Sequence, residues 1–147
     1  MMRRIVFACA VFLLSFLVAG FVYSADDQPV KAKKGDRTFE SVYDNLNPKE
    51  NTDIHIKAFW KKVDGIEVIW EGDVHDVKGG RGRAKIYLDH ADRPSKKGFN
   101  MLLTTYDMSK AIELKKGQHI RFSAILYNYK RTGSSGIILY LDNAEIM

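Results

Sequence analysis

Two glycine-rich segments of the sequence carry cationic side chains and have tyrosines nearby. Arg81 and Arg83 lie in the first segment, and Lys130 and Arg131 lie at the start of the second. Guanidinium and ammonium groups bind phosphates and carboxylates, and exposed aromatic rings stack on flat ligand groups. This combination indicates a surface for an extended ligand, such as a polyanion, an oligosaccharide or a peptide.

Each candidate binding residue is expected either in one of the two loops or on the outward side of a strand next to them. These residues are Arg81, Arg83, Lys85, Tyr87, Tyr127, Lys130 and Arg131, with Lys78, Tyr129 and Tyr140 beside them. The alternative is that glycine-rich hairpin tips carry lysine and arginine for solubility and to protect sheet edges. Glu67, Glu71, Asp73 and Asp89 are expected on the same faces, where they would repel a polyanion.

No catalytic or metal centre is expected. The single cysteine lies in the N-terminal apolar segment, and the Gly-x-Ser-x-Gly motif of serine hydrolases is missing from the sequence. Zinc requires three or four converging ligands, whereas the nearest patterns among the scattered histidines are His75-Asp76 and Asp89-His90-x-Asp92, whose spacing does not indicate convergence. A metal-dependent nuclease using Asp73, Asp89 and Arg83 is the enzymatic alternative. We therefore expect a non-enzymatic protein that needs no cofactor and binds no metal.

The N-terminus has the three parts of a secretory signal. Arg3 and Arg4 precede an uncharged run over residues 5–22, which ends at the small residues Ser24 and Ala25. We expect a Sec-type signal peptide over residues 1–24 and a protein located in the periplasm or outside the cell. An uncleaved membrane tether is the alternative, because such a run spans about 27 Å as a helix, close to the hydrocarbon thickness of a bilayer.

Cleavage after residue 24 would change the composition of the chain. The net charge would fall from +5 to +3, and the only cysteine, Cys9, would leave with the signal. The remaining chain of about 120 residues is long enough for one domain with one hydrophobic core. Residues 25–37 are polar and rich in lysine, which predicts a flexible linker before that domain.

The apolar pattern then predicts a helical segment over residues 38–64. Phe39, Val42, Tyr43 and Leu46 follow the i, i+3, i+4, i+7 spacing of one helical face. Pro48 ends that helix, and a polar cap at residues 51–53 starts a second one. We expect this segment to pack on the following domain, with Trp60 contributing to its core.

From residue 66 onward the apolar period changes to two, which predicts strands. Five strands are expected, with Trp70 in the core and with a short helix or turn over residues 107–116 between the third and fourth strands. This order is typical of the OB-fold, a five-stranded Greek-key barrel that binds ligands across its second and third strands. A small sandwich or an SH3-like barrel is the alternative for five short strands, and the spacing around residues 109–117 favours the OB-fold. We therefore expect a mainly β domain over residues 65–147.

Several segments also resemble a known family. They are FWKK at residues 59–62, VIWEGDV at residues 68–74, LKKGQ at residues 114–118 and IILYLDNAEI at residues 137–146. Together they resemble the tRNA-anti-like family of small exported bacterial OB-fold proteins, over roughly residues 52–147. The resemblance implies the barrel fold, provides no catalytic residue and does not imply tRNA binding.

The resulting expectation is an exported, non-enzymatic OB-fold binding module. Its ligand would be extended, such as an oligosaccharide, a peptide or a nucleic acid strand. A protein of the cell envelope that binds another envelope protein is the alternative.

Overall fold

The computed structural model describes residues 33–34, 37–93, 95–133 and 136–147, so the predicted signal peptide and most of the predicted linker lie outside the described residues. The elements follow one another as β1 (Lys33–Lys34), α1 (Phe39–Leu46), α2 (Asp53–Val63), β2 (Ile66–Gly79), β3 (Ala84–Asp89), β4 (Met101–Thr105), α3 (Met108–Glu113), β5 (His119–Thr132) and β6 (Gly136–Ile146). Among the helices of this described part, none is long and apolar enough to span a bilayer.

The two N-terminal helices form where the periodicity predicts them. Thr38 caps α1 by accepting a hydrogen bond from the Ser41 backbone N–H at 3.2 Å, and Thr52 caps α2 in the same way at the His55 N–H. A threonine at this position satisfies one of the free N–H groups of the first helical turn. Both helices bury their apolar face against the barrel.

The strands close into a barrel. β2 pairs antiparallel with β3, β3 pairs antiparallel with β4, β4 pairs parallel with β6, and β6 pairs antiparallel with β5, which returns to β2. Helix α3 lies between the third and fourth barrel strands. The structure thus confirms the predicted mainly β, five-stranded OB-fold barrel preceded by a helical segment.

Strand β2 closes the barrel by pairing with two neighbours. Residues 67–73 pair with β5, and residues 73–79 pair with β3, with a bulge between Val74 and Asp76 that interrupts the second pairing. A bulge bends a strand and increases its twist, as a closed barrel requires. Gly72 lies just before this bend, where a Cβ atom would be 2.9 Å from Met101 Cε and 3.0 Å from the backbone oxygen of Asp89.

The core is filled from all five barrel strands and both N-terminal helices. Trp70 is 5% exposed and belongs to this core, as predicted. Its indole N–H donates a 2.7 Å hydrogen bond to the Arg37 carbonyl, so a buried polar atom is satisfied by the chain that enters the domain. Trp60 is half-buried and packs against the core at Tyr129, with ring centroids 4.8 Å apart.

The chain entering the domain also adds a short strand. β1 pairs in parallel with Ile66 and Glu67 at the start of β2. Lys33, Lys34 and Arg37 all fall within the range predicted as a linker, and their backbone contacts β2 through this pairing and through the Trp70 hydrogen bond.

We expect Gly72→Ala to lower the free energy of unfolding by about 1–3 kcal/mol, because the added methyl group meets a backbone oxygen that cannot move aside. Gly79→Ala is the matched control on the same strand, since its Cβ would lie 3.9 Å from Met108 Cε in ordinary contact; a change within about 0.5 kcal/mol is expected there. Urea denaturation measures both. Equal effects of the two substitutions would contradict this account of the bend.

Candidate ligand-binding face

A row of ring and apolar side chains crosses the outer surface of three strands. Tyr87 of β3 is paired with Leu102 of β4, and Leu102 is paired with Tyr140 of β6. Directly paired residues project to the same side of a sheet. Their neighbours Ile86 and Leu103 point inward and are buried, so the row lies on the outside, as predicted for Tyr87.

A second, polar row runs beside the first. Lys85 is paired with Thr104. On β6, Asp142 comes two residues after Tyr140 and therefore points to the same side of the sheet. We call this outer surface the tyrosine face. Its members are Lys85, Tyr87, Leu102, Thr104, Tyr127, Tyr140 and Asp142, of which Thr104 is buried.

One end of the tyrosine face combines aromatic rings with a cation. Lys78 Nζ lies 5.1 Å from the centroid of the Tyr87 ring, and Phe99 packs edge-on against the same ring at 5.0 Å. An ammonium group over a tyrosine is held by the negative face of the ring. Asp76 forms an exposed ion pair with Lys78 at 3.7 Å.

Tyr127 and Tyr140 form the other end, with ring centroids 6.3 Å apart in an edge-to-face arrangement. Burial raises the pKa of Tyr127, and the nearby Asp142 carboxylate raises it further, whereas Arg83 acts in the opposite direction. Tyr127 therefore keeps its phenolic proton at neutral pH and is a hydrogen-bond donor. In the described part of the chain, Asp142 Oδ1 is buried and has no hydrogen-bond partner from the protein.

The predicted loop cations border this face. Arg83 is exposed at the end of the loop between β2 and β3, close enough to influence Tyr127, and Arg81 is exposed in the same loop. Lys130 is exposed on β5 opposite Ile138, on the same side of that strand as Asn128, which is paired with Tyr140.

Two residues predicted near the binding surface lie elsewhere. Arg131 binds Asp53 at the first turn of α2, with Nη2 2.9 Å from Oδ1. Tyr129 contacts Trp60 of the same helix. The sequence predicted them beside Lys130 because they are its neighbours along the chain. Successive residues of a strand point to opposite sides, and Tyr129 and Arg131 point to the side of β5 that α2 covers.

The acidic residues are less concentrated on this face than expected. Glu67 and Glu71 lie in the half of β2 that pairs with β5, away from β3 and β4. Asp73 is hydrogen-bonded to His119 at 2.8 Å, which raises the pKa of that histidine. Asp89 does lie on the outer side of β3, and its carboxylate accepts a hydrogen bond from the Ser95 N–H.

The residues of the alternative nuclease site are only partly brought together. Asp73 and Asp89 face each other in the β2–β3 ladder. Arg83 lies six positions before Asp89 along extended chain, which corresponds to about 20 Å. One phosphate could not contact both ends of that strand.

Sequence reasoning missed four contributors to this surface: Leu102, Thr104, Asp142 and Phe99. Strand β4 reads MLLTT, so no alternation shows which of its side chains point outward. Tyr106 is a fifth, 55% exposed just after β4 and near Tyr127. Its position directly after an apolar strand was the only feature of the sequence that could have indicated its place at this surface.

Comparison with known proteins adds little to this picture. No protein-family model matches the chain, and no curated protein matches it. Its backbone is similar to the solved structure of OBody AM3L09 bound to hen egg-white lysozyme, at 13% sequence identity and a TM-score of 0.41, over 58% of this chain and 85% of that chain. The resemblance to the tRNA-anti-like family stays a prediction from the sequence.

We expect Asp142→Asn to lower the pKa of Tyr127 while leaving it above the ordinary value, because burial is the larger cause of the shift and remains. An NMR pH titration of ring-labelled tyrosine measures this directly. Asp64→Asn, at the exposed end of α2, is the control and should leave Tyr127 unchanged. An unchanged Tyr127 pKa in the Asp142→Asn variant would show that the Asp142 carboxylate does not act on Tyr127.

Proposed function

We propose that the chain is an exported, non-enzymatic OB-fold binding module whose tyrosine face holds an extended ligand. The observation that carries this proposal is the row of Tyr87, Leu102 and Tyr140 across three strands, with exposed cations at its borders. OB-folds commonly bind oligosaccharides and oligonucleotides across this part of the barrel. Aromatic rings supply contact area at a low cost in conformational entropy, since each has only two rotatable side-chain bonds.

Among extended ligands, an acidic oligosaccharide fits the face best. Tyr87 and Tyr140 would pack on sugar rings, while Arg83, Lys85 and Lys130 would contact carboxylate or sulfate groups. The Asp142 carboxylate lies close to Tyr127 and would repel any anionic group beside it, so the face suits a ligand whose charges are separated by neutral rings. The predicted export also favours a glycan of the cell envelope over a nucleic acid.

Charge reversal tests the cations. We expect Arg83→Glu combined with Lys85→Glu to weaken binding of a hyaluronan oligosaccharide by about tenfold or more, since attraction is replaced by repulsion at the contact. Lys115→Glu combined with Lys116→Glu is the matched control with the same change in net charge, in the exposed turn before β5. Isothermal titration calorimetry with cellohexaose and a single-stranded oligothymidylate as comparison ligands separates the ligand classes.

Three outcomes would overturn the assignment. Equal losses of affinity in both double variants would show that binding depends on the net charge of the protein and not on a specific site. Tighter binding of the oligothymidylate than of the hyaluronan oligosaccharide would show that the ligand is a nucleic acid. Failure of every probe, together with capture of one stable envelope protein, would favour a protein–protein interaction factor instead.

Removal of a ring tests stacking separately. We expect Tyr140→Ala to weaken hyaluronan binding by about five- to 150-fold, which corresponds to about 1–3 kcal/mol for one stacked ring. Tyr140→Phe keeps the ring and should keep most of the affinity. A similar loss in both variants would mean that the hydroxyl group, and not the ring, carries the interaction.

Export is tested by the mass of the protein recovered from the envelope of a bacterial host. We expect a chain that begins at Ala25, because Ser24 and Ala25 form the small-residue end of the signal. A full-length mass in the membrane fraction would support the tethered form, and recovery from the cytoplasm would contradict export.

A further inference from the structure

Helix α2 presents a basic surface on the side turned away from the barrel. Its buried side chains, Ile56, Phe59 and Val63, pack on the core. The opposite side of the helix is exposed, and its members are Ile54, Lys57, Ala58, Lys61 and Lys62. The spacing of the first four members is i, i+3, i+4, i+7, so their side chains lie along one stripe of the helix. We call these five residues the basic helix face.

The carboxylates next to the basic helix face leave its charge largely uncompensated. Asp53 is bound by Arg131, with Nη2 2.9 Å from Oδ1. Asp64, the exposed C-cap residue, is the other carboxylate of the segment 53–64. In the part of the chain that the structure describes, no carboxylate lies within ion-pair distance of the three lysines of this face. The face therefore carries three cations against one free carboxylate at its end.

Ile54 adds an apolar group to this surface, since its side chain is 82% exposed. Lysines in the last turn of a helix stabilise its C-terminus, which accounts for Lys61 and Lys62. The same effect explains neither Lys57 in the middle of the helix nor an exposed isoleucine at its start. At a membrane surface, ammonium groups contact lipid phosphates while an apolar side chain enters the boundary between headgroups and acyl chains. The composition of the face fits that environment.

The chain also enters the domain beside the end of this helix. β1 pairs with Ile66 and Glu67, and only two residues separate this pairing from the end of α2. The uncharged run over residues 5–22 lies ten residues before β1, and three of the residues from 31 to 34 are lysines. An extended chain of this length reaches at most about 40 Å. A bilayer that holds the uncharged run is therefore within reach of the end of α2.

The basic helix face and the tyrosine face lie on opposite sides of β5. Tyr129 and Arg131 point toward α2, whereas Asn128 is paired with Tyr140 of the tyrosine face. Successive residues of a strand point to opposite sides. A membrane in contact with α2 thus leaves the tyrosine face open to a ligand.

We propose that the basic helix face binds the surface of a membrane rich in anionic phospholipid, with Ile54 entering the headgroup region. The lysines contact lipid phosphates, and their attraction to the surface falls off within a Debye length. The contact is therefore reversible and sensitive to salt. It uses no member of the tyrosine face, and it holds for a released protein as well as for a tethered one.

A dye on the helix tests the contact directly. The full chain carries Cys9→Ser, which removes its only thiol, and Ile54→Cys labelled with a nitrobenzoxadiazole dye. With vesicles of equal parts phosphatidylglycerol and phosphatidylcholine, the dye emission should rise and shift to the blue, because the dye leaves water. Pure phosphatidylcholine vesicles should require at least about a tenfold higher lipid concentration. The matched control is Ile112→Cys on α3, where the isoleucine is 78% exposed; its dye should not respond.

Charge reversal identifies the cations. We expect Lys57→Glu combined with Lys61→Glu to weaken phosphatidylglycerol vesicle binding by at least about tenfold, since two attractive contacts become repulsive. The dye on Ile54→Cys measures the affinity. Lys115→Glu combined with Lys116→Glu changes the net charge equally and should leave the affinity nearly unchanged. Circular dichroism confirms that each variant is folded, and all four lysines are exposed.

Several results would overturn the proposal. They are an unchanged dye emission at position 54, an equal response at position 112, and equal losses of affinity in the two double variants. Loss of hyaluronan binding in the Lys57→Glu and Lys61→Glu variant would show a surface for polyanions in general and overturn the lipid assignment. Vesicle binding without any hyaluronan binding would support this proposal and contradict the proposed glycan ligand, so the two proposals can fail separately.

Discussion

Strand β2 must pair with two different neighbours, and the closure of the barrel depends on this. Its first half pairs with β5 and its second half with β3, so the 14-residue strand bends within a few positions. Gly72 allows the backbone of Asp89 to approach closely, and the bulge at residues 74–76 provides the extra twist. A straight β2 would leave its backbone donors and acceptors unpaired along one neighbour, and an open sheet edge invites association with other chains.

Closure also sorts the side chains onto different parts of the surface. Because β4 and β6 run parallel, Tyr140 comes to lie beside Leu102 and so in line with Tyr87. Charged residues of the β2–β5 half pair among themselves, with Asp73 bonded to His119 and Glu71 opposite Arg121 in the ladder. The result is an aromatic surface bordered by cations on one side of the barrel and, on the other, a surface where Glu71 and Asp73 lie beside His119.

The N-terminal helices contribute more than a cover for the core. Helix α1 is joined to the loop after β3 by the Arg93–Asp44 hydrogen bonds and by the stacking of Phe39 on His90. Helix α2 holds Arg131 and Tyr129 of β5. These contacts fix the loop after β3 and the end of β5, and they place an acidic residue of each helix next to an arginine, Asp44 beside Arg93 and Asp53 beside Arg131.

Local pattern was sufficient for the fold and for the outward position of Lys85 and Tyr87. Period-two alternation, the helical spacing from Phe39 to Leu46 and the polar cap at residues 51–53 depend on neighbours in sequence, so they are readable from the sequence alone. Only the tertiary structure decided which loops, strands and helices meet. The pairing of Arg131 with Asp53, the outward position of Leu102 in a strand without alternation, and the approach of Glu40 to His90 all depend on the register and crossing of elements far apart in the chain. Such contacts follow from how the barrel closes, and no local propensity encodes them.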